Sequence, residues 1–156
     1  MKPVMYLMAF AALILVSCNS DVVYKEKYKF PEEEFTKGNP IDYTFEIQDT
    51  SLRYDIMLDL HHSDEYAYQN LYVKITTVFP DGKKIDDVVS LELSKSGTAW
   101  QGECGGGECK VPIVLIEKTK FKLPGKYKIS LEQYGRTTTV SGLKCCTMIV
   151  RKEMLE

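Results

Sequence analysis

Hydrophobic and polar positions alternate along most of this chain. Ile41, Tyr43, Phe45 and Ile47 fall on one side of a period-2 pattern, with Asp42, Thr44 and Glu46 on the other. Leu52 to Leu60 repeats it, with Tyr54, Ile56, Leu58 and Leu60 on the apolar side. Such alternation predicts strands with one buried face. Val22–Phe30, Leu71–Phe79, Val88–Leu93, Thr98–Glu103, Val111–Ile116, Lys126–Tyr134, Thr137–Val140 and Leu143–Val150 read as further strand segments. Turn chemistry separates them: Lys37-Gly38-Asn39-Pro40, Pro80-Asp81-Gly82-Lys83 and Leu123-Pro124-Gly125-Lys126. Pro112 restricts its strand to an edge or a bulge. Pro31–Phe35 offers one helical turn at most. About eight short strands with no long 3.6-residue period predict an all-β domain, a single antiparallel β-sandwich of Ig-like or jelly-roll-like type.

The N-terminus breaks this pattern. Lys2 is followed by a nearly continuous apolar run from Val4 to Val16, then Ser17 and Cys18. The run suits the apolar core of a secretory leader and is short for a membrane span. Leu15-Val16-Ser17-Cys18 has the form of a bacterial lipobox: a small residue before the cut, then a thiol that a lipid can alkylate. The sequence therefore divides into a leader (1–17, removed), a lipidated Cys18 with a lead-in (18–40), the sandwich (41–152) and a charged tail (153–156). The remaining length suits one domain with a true core.

Composition narrows the function. The chain is 44% hydrophobic and 27% charged, with a formal net charge of −2. No Lys/Arg-rich block appears, so a nucleic-acid partner is not expected. Export makes disulfides available to Cys104, Cys109, Cys145 and Cys146, and sequence alone does not choose among their three pairings. A bridge from the 104–109 loop to the last strand is the favoured expectation, and a local Cys104–Cys109 bridge the alternative. Four thiolates on zinc is disfavoured because Cys145 and Cys146, adjacent on a strand, point to opposite faces.

Other chemistry is thinly represented. His61 and His62 are the only histidines. They stand beside Asp59, Asp64 and Glu65 but diverge as neighbours at a strand end, so no metal is expected there, and no nucleophile elbow accompanies them. Gly105-Gly106-Gly107 lacks the Lys-Ser/Thr of a phosphate loop. Asp86-Asp87 reads as a solvated strand start. No catalytic residue, metal or small-molecule cofactor is expected; the one attached group is a lipid on Cys18. Tyr66 and Tyr68, in a polar connection, are expected to be exposed. Tyr72 and Trp100 are expected to pack in the core.

From Ile41 onward the order of features resembles the gliding motility lipoprotein family GldH. The resemblance rests on Tyr66-Ala-Tyr68-Gln-Asn70-Leu71 before an apolar strand. It continues with Pro80-Asp81-Gly82, Asp87, Gly97 and Trp100-Gln-Gly102. Phe121, Gly125-Lys-Tyr127, Glu132-Gln133, Arg136 and Gly142-Leu143 complete it. With the lipobox it spans nearly the whole mature chain. The four cysteines and Gly135, where the family tends to have Met, depart from the pattern. The resemblance implies a non-catalytic, lipid-anchored envelope protein associated with the gliding machinery and the type IX secretion system. It would act through contacts with other envelope lipoproteins. Asn19, and not Asp, follows Cys18, and the outer membrane facing the periplasm is the preferred location. Tyr66, Tyr68, Asn70, Trp100, Gln133 and Arg136 form the candidate interaction surface. A carbohydrate-binding lipoprotein that stacks sugars on Tyr66, Tyr68 and Trp100 is the alternative, and a hydrolase with an unrecognised site a weaker third.

Overall fold

A computed structural model describes residues 21–153. Residues 1–20, which hold the expected leader and Cys18, and residues 154–156 lie outside the described residues. In chain order the strands are β1 (Val22–Lys29), β2 (Glu34–Thr36), β3 (Ile41–Ile47), β4 (Tyr54–Ser63), β5 (Asn70–Val78), β6 (Lys84–Glu92) and β7 (Ser94–Lys95). They continue with β8 (Ala99–Trp100), β9 (Glu103–Gly105), β10 (Glu108–Thr119), β11 (Gly125–Gln133), β12 (Thr139–Ser141) and β13 (Leu143–Lys152). One 3-10 turn, Pro31–Glu33, starts on its proline, whose missing N–H costs nothing there.

The expected antiparallel β-sandwich is present. Its first sheet has five strands in the order β1-β13-β4-β10-β9, and its second has four in the order β3-β11-β5-β6. β2 with β12 and β7 with β8 form two small ladders. The fold begins earlier than the division at residue 41 allows. β1 pairs along β13 from Val22↔Arg151 to Lys29↔Cys145, and β2 pairs with β12, so much of the 18–40 segment is built into the sheets.

Alternation places the core. Ile41, Tyr43, Phe45 and Ile47 are all buried, as are Ile56, Leu58 and Leu60 opposite Val150, Met148 and Cys146. Tyr127, Ile129, Leu131 and Gln133 give β11 its inward face. The aromatic rings concentrate at one end, where Phe45 stacks on Tyr127 at 5.9 Å and Phe121 meets Tyr127 edge-on at 4.6 Å. Offset and edge-on pairs of this kind add to simple area burial.

Pro112 sits where the sequence requires. β9 pairs with β10 only as far as Lys110, so at Pro112 the strand bonds β4 alone and its missing donor faces no partner. The register then shifts between Val114 and Ile116. Glu108–Thr119 is longer than the expected Val111–Ile116 because its start is clamped between β4 and β9. The expected strand at Thr98–Glu103 breaks into β8 and the start of β9. Between them Gly102, with φ +78°, presses so close to β10 that a Cβ would lie 2.0 Å from the Lys110 carbonyl oxygen.

The favoured disulfide pairing is corrected. Cys104 bonds Cys109, and Cys145 and Cys146 are free and buried. The strand order is the reason: β4 lies between β10 and β13. Two ladder spacings put Cys109 about 9–10 Å from β13, beyond the reach of one S–S bond. Cys104 instead faces Cys109 across the β9–β10 ladder.

Candidate functional site

The end of the sandwich that holds the β4–β5 connection, the start of β5 and the β11–β12 connection carries a cleft of about 260 Å³. Tyr66, Tyr68, Asn70, Tyr72, Arg136 and Val140 line it. Alternation along β5 aims two of these residues. Leu71 and Val73 are buried, so Tyr72 between them points outward and is 48% exposed. The expectation that Tyr72 packs in the core is thus corrected. Tyr134 follows from the same rule: Gln133 is buried, and Tyr134 turns out at 54% exposure, its N–H donating to the Tyr72 carbonyl at 2.9 Å. Tyr134 was absent from the candidate surface, although the inward set Tyr127, Ile129, Leu131 and Gln133 already implied its direction.

Tyr66 is also corrected. It was expected to be exposed, yet it is 5% exposed. Its N–H closes a turn onto the Ser63 carbonyl at 3.0 Å, which folds its ring back over the sandwich. There it contacts His62, Trp100 and Tyr68, with centroids 5.5, 6.3 and 5.8 Å away. Gly142, with φ +91°, lies beneath the ring, where a Cβ would come within 3.4 Å of it. Tyr68 is the exposed member of the pair, at 44%. Trp100 is half-buried, packs against the core and donates from Nε1 to the Asp64 carbonyl at 3.0 Å.

The polar members divide in the same way. Arg136 is exposed at the cleft. Asn70 donates to Ser90 Oγ at 2.7 Å, and Ser90 passes a bond on to Glu92. Gln133 is 1% exposed and braces the β11–β12 connection by donating to the Thr137 carbonyl at 3.0 Å. It is a support for the cleft and not part of its surface.

The two histidines diverge as expected. His62 is fully buried against Trp100 at 4.6 Å, and burial pulls its pKa below the usual imidazole value. Its Nδ1 lies 2.7 Å from the Ser63 carbonyl, which fixes the neutral tautomer with the proton on Nδ1. His61 faces the other side of the sheet, with Nδ1 3.5 Å from a Glu108 carboxylate oxygen. Cys145 lies opposite His61 in the β13–β4 register, and no hydrogen bond joins the thiol to the ring among the described residues. No group of three or more His, Cys, Asp or Glu side chains converges on a metal-sized site among the described residues.

The profile of the family described as GldH lipoprotein matches residues 22–146, from the first residue of β1 into β13. The chain belongs to the GldH lipoprotein family. Among similar proteins, the gliding motility lipoprotein GldH homolog of Christiangramia forsetii is 27% identical over 131 residues, covering 84% of this chain and 80% of that one. The gliding motility lipoprotein GldH of Flavobacterium johnsoniae is 23% identical over 130 residues, covering 83% and 80%. Among solved structures, one of the infectious bursal disease virus Gx strain is matched at a TM-score of 0.35 and 14% identity, over 85% of this chain and 33% of that one.

The match to the GldH family takes in both small ladders and the whole tyrosine cleft. β1 and β2, placed before the sandwich by the sequence, therefore fall within the range that the family match covers.

Proposed function

We propose that this GldH lipoprotein is held by a lipid on Cys18 in the outer membrane, facing the periplasm. It acts there without catalysis, by docking envelope proteins of the gliding and type IX secretion machinery. The observation that carries the docking part is the exposure of Tyr68, Tyr72 and Tyr134, at 44%, 48% and 54%, beside the exposed Arg136. Tyr and Arg are the residue types that dominate binding energy at protein interfaces, and a shallow cleft gives them a pocket to complete. Sugar stacking on Tyr66 and Tyr68 together is disfavoured, because the Tyr66 ring is buried.

Photo-crosslinking in intact cells tests this reading. A photoreactive residue replacing Tyr72 captures a defined envelope partner, and Tyr68→Ala with Arg136→Ala lowers that capture. A probe on the Asp42 face gives the background. Equal capture at the two positions would count against the cleft. Cys18→Ala abolishes membrane retention while the domain still folds, and retention of that variant would count against the anchor.

A further inference from the structure

A second cleft, of about 520 Å³, lies at the other end of the molecule. It opens between the two sheets, where the end of β5 and the start of β6 face β10 and the β10–β11 connection. Its inner wall is the aromatic cluster of Phe45, Phe79, Phe121 and Tyr127. Its mouth carries Ile85, Ile116 and Leu123, exposed at 41%, 45% and 36%. The register shift after Val114 turns Ile116 into the cleft opposite Ile56. Lys83, Lys120 and Lys122 stand at the rim, all exposed and none in an ion pair among the described residues. Asp81 there is engaged with the Lys83 N–H at 3.0 Å, and Asp87 is the other acid. The volume and the apolar lining with a few polar groups are those of a small-molecule site.

The position of this cleft relative to the anchor says what fills it. The Lys152 N–H donates to the Asp21 carbonyl at 2.7 Å, which fixes the start of the described chain at this same end, beside Tyr54. Only Asn19 and Ser20 separate Asp21 from Cys18, so the three Cα-to-Cα steps reach at most about 11 Å. A lipid on Cys18 therefore brings this end of the sandwich to the membrane surface. The charge is arranged accordingly. Segments 21, 48–53, 79–84, 117–126 and 152–153 at the anchored end hold eight Lys/Arg against five Asp/Glu. Segments 30–40, 64–70, 92–108 and 134–144 at the far end hold four against eight. With Asp86 and Asp87 of β6 added, the latter in the cleft lining, the anchored end holds eight against seven, so it is close to neutral while the far end is acidic.

We propose that this cleft takes one acyl chain of an anionic membrane lipid, with Lys83, Lys120 and Lys122 meeting the headgroup. The inference rests on the anchor at Cys18 only for the domain's orientation. An acyl chain covers the three exposed aliphatics and the aromatic wall, and the lysines lie where the headgroup emerges. The occupied cleft would hold the β5–β6 and β10–β11 ends against the bilayer and leave the tyrosine cleft at the opposite end free to meet partners.

The test uses the full mature chain with vesicles of phosphatidylcholine, with and without phosphatidylglycerol, each doped with a photoreactive acyl lipid. Intact mass of protein taken from cells reads the anchor separately, and the vesicle arm is repeated with Cys18→Ser, so a missing anchor and an empty cleft give different results. Label on residues 79–87 and 116–123 from the anionic vesicles, lost in Ile116→Glu, is the expected result. Lys120→Ser with Lys122→Ser, both solvent-exposed and tolerable to the fold, lowers partition of the Cys18→Ser chain to anionic vesicles by about fivefold per lysine, on the order of thirtyfold for the pair. Label absent from those segments, or equal from the two vesicle types, would overturn the proposal. Labelling by a soluble photoreactive fatty acid but not from vesicles would overturn the membrane source.

Discussion

The Tyr43 hydroxyl lies 2.9 Å from the Cys146 Sγ and 3.3 Å from the Cys146 carbonyl oxygen. The contact joins β3 of one sheet to β13 of the other through the middle of the core. Both residues are 1% exposed. Burial pushes the Cys146 thiol up to about 12, and burial together with the neighbouring sulfur raises Tyr43 as well. The sheets are thus stitched by a neutral polar pair inside apolar packing. Tyr43→Phe removes the bond and leaves the carbonyl without this donor, at a cost of about 1 kcal/mol. Urea unfolding reads this as a lower midpoint at unchanged slope.

Alkaline pH should unfold the protein through the same groups. In the unfolded chain the Cys146 thiol ionises near its ordinary value of about 8.5, and tyrosines near about 10. In the folded chain Cys146, Tyr43 and Tyr66 hold their protons to higher pH. The folded state therefore binds more protons, and stability falls as pH rises. The loss begins near about pH 8.5 and steepens above about 10, by up to about 1.4 kcal/mol per pH unit for each such group. Cys146→Ala should flatten the first part of this limb; an unchanged slope between those pH values would refute the assignment.

The acid limb has the opposite sign. His62 is buried neutral with its pKa lowered, first by desolvation. Below about pH 6.5 the unfolded chain takes up a proton at His62 that the folded chain does not, so stability falls as pH falls. His62→Phe keeps a ring against Trp100 and Tyr66 and removes the titration. The variant should lose less stability between neutrality and mild acid than the parent.

The Cys104–Cys109 bridge closes a short loop, for which chain entropy gives about 2 kcal/mol. Non-reducing peptide mapping should find this one bridge. Cys145 and Cys146 should alkylate only after denaturation, since both are buried. Cys104→Ser with Cys109→Ser should lower the melting temperature by roughly 6 °C. Rapid alkylation of two thiols in the native protein would contradict the packing of β13.

Gly102→Ala should be far more damaging than its size implies. The residue has φ +78°, and its added methyl would strike the Lys110 backbone at 2.0 Å. Backbone cannot yield as a side-chain tip can, so the β8–β10 region must shift, at about 3 kcal/mol or more. Gly38→Ala is the control: it shares the positive φ but has open space around it.

The alternation at Ile41–Ile47, Tyr54–Leu60 and Lys126–Gln133 was legible because a strand with one wet face must segregate its side chains by period 2. The same rule, carried one step further, gives the outward direction of Tyr72 and Tyr134. Tyr66 was not legible. It sits in a polar connection with no period, and one turn bond to Ser63 decides that its ring folds inward. The two clefts were not legible either, because each is assembled from connections far apart in the chain.

By itself the sequence determined the all-β class, the positions of its turns, the edge character at Pro112 and the resemblance to the GldH family, because these depend on local pattern and on ordered motifs. Tertiary structure decided which cysteines pair, which tyrosines reach solvent and which lysines gather at the rim of the larger cleft. Those outcomes follow from the strand order: placing β4 between β10 and β13 separates two pairs of thiols. Antiparallel pairing also brings the ends of β4, β5, β10 and β13 together in space, and no local pattern records which ends will meet.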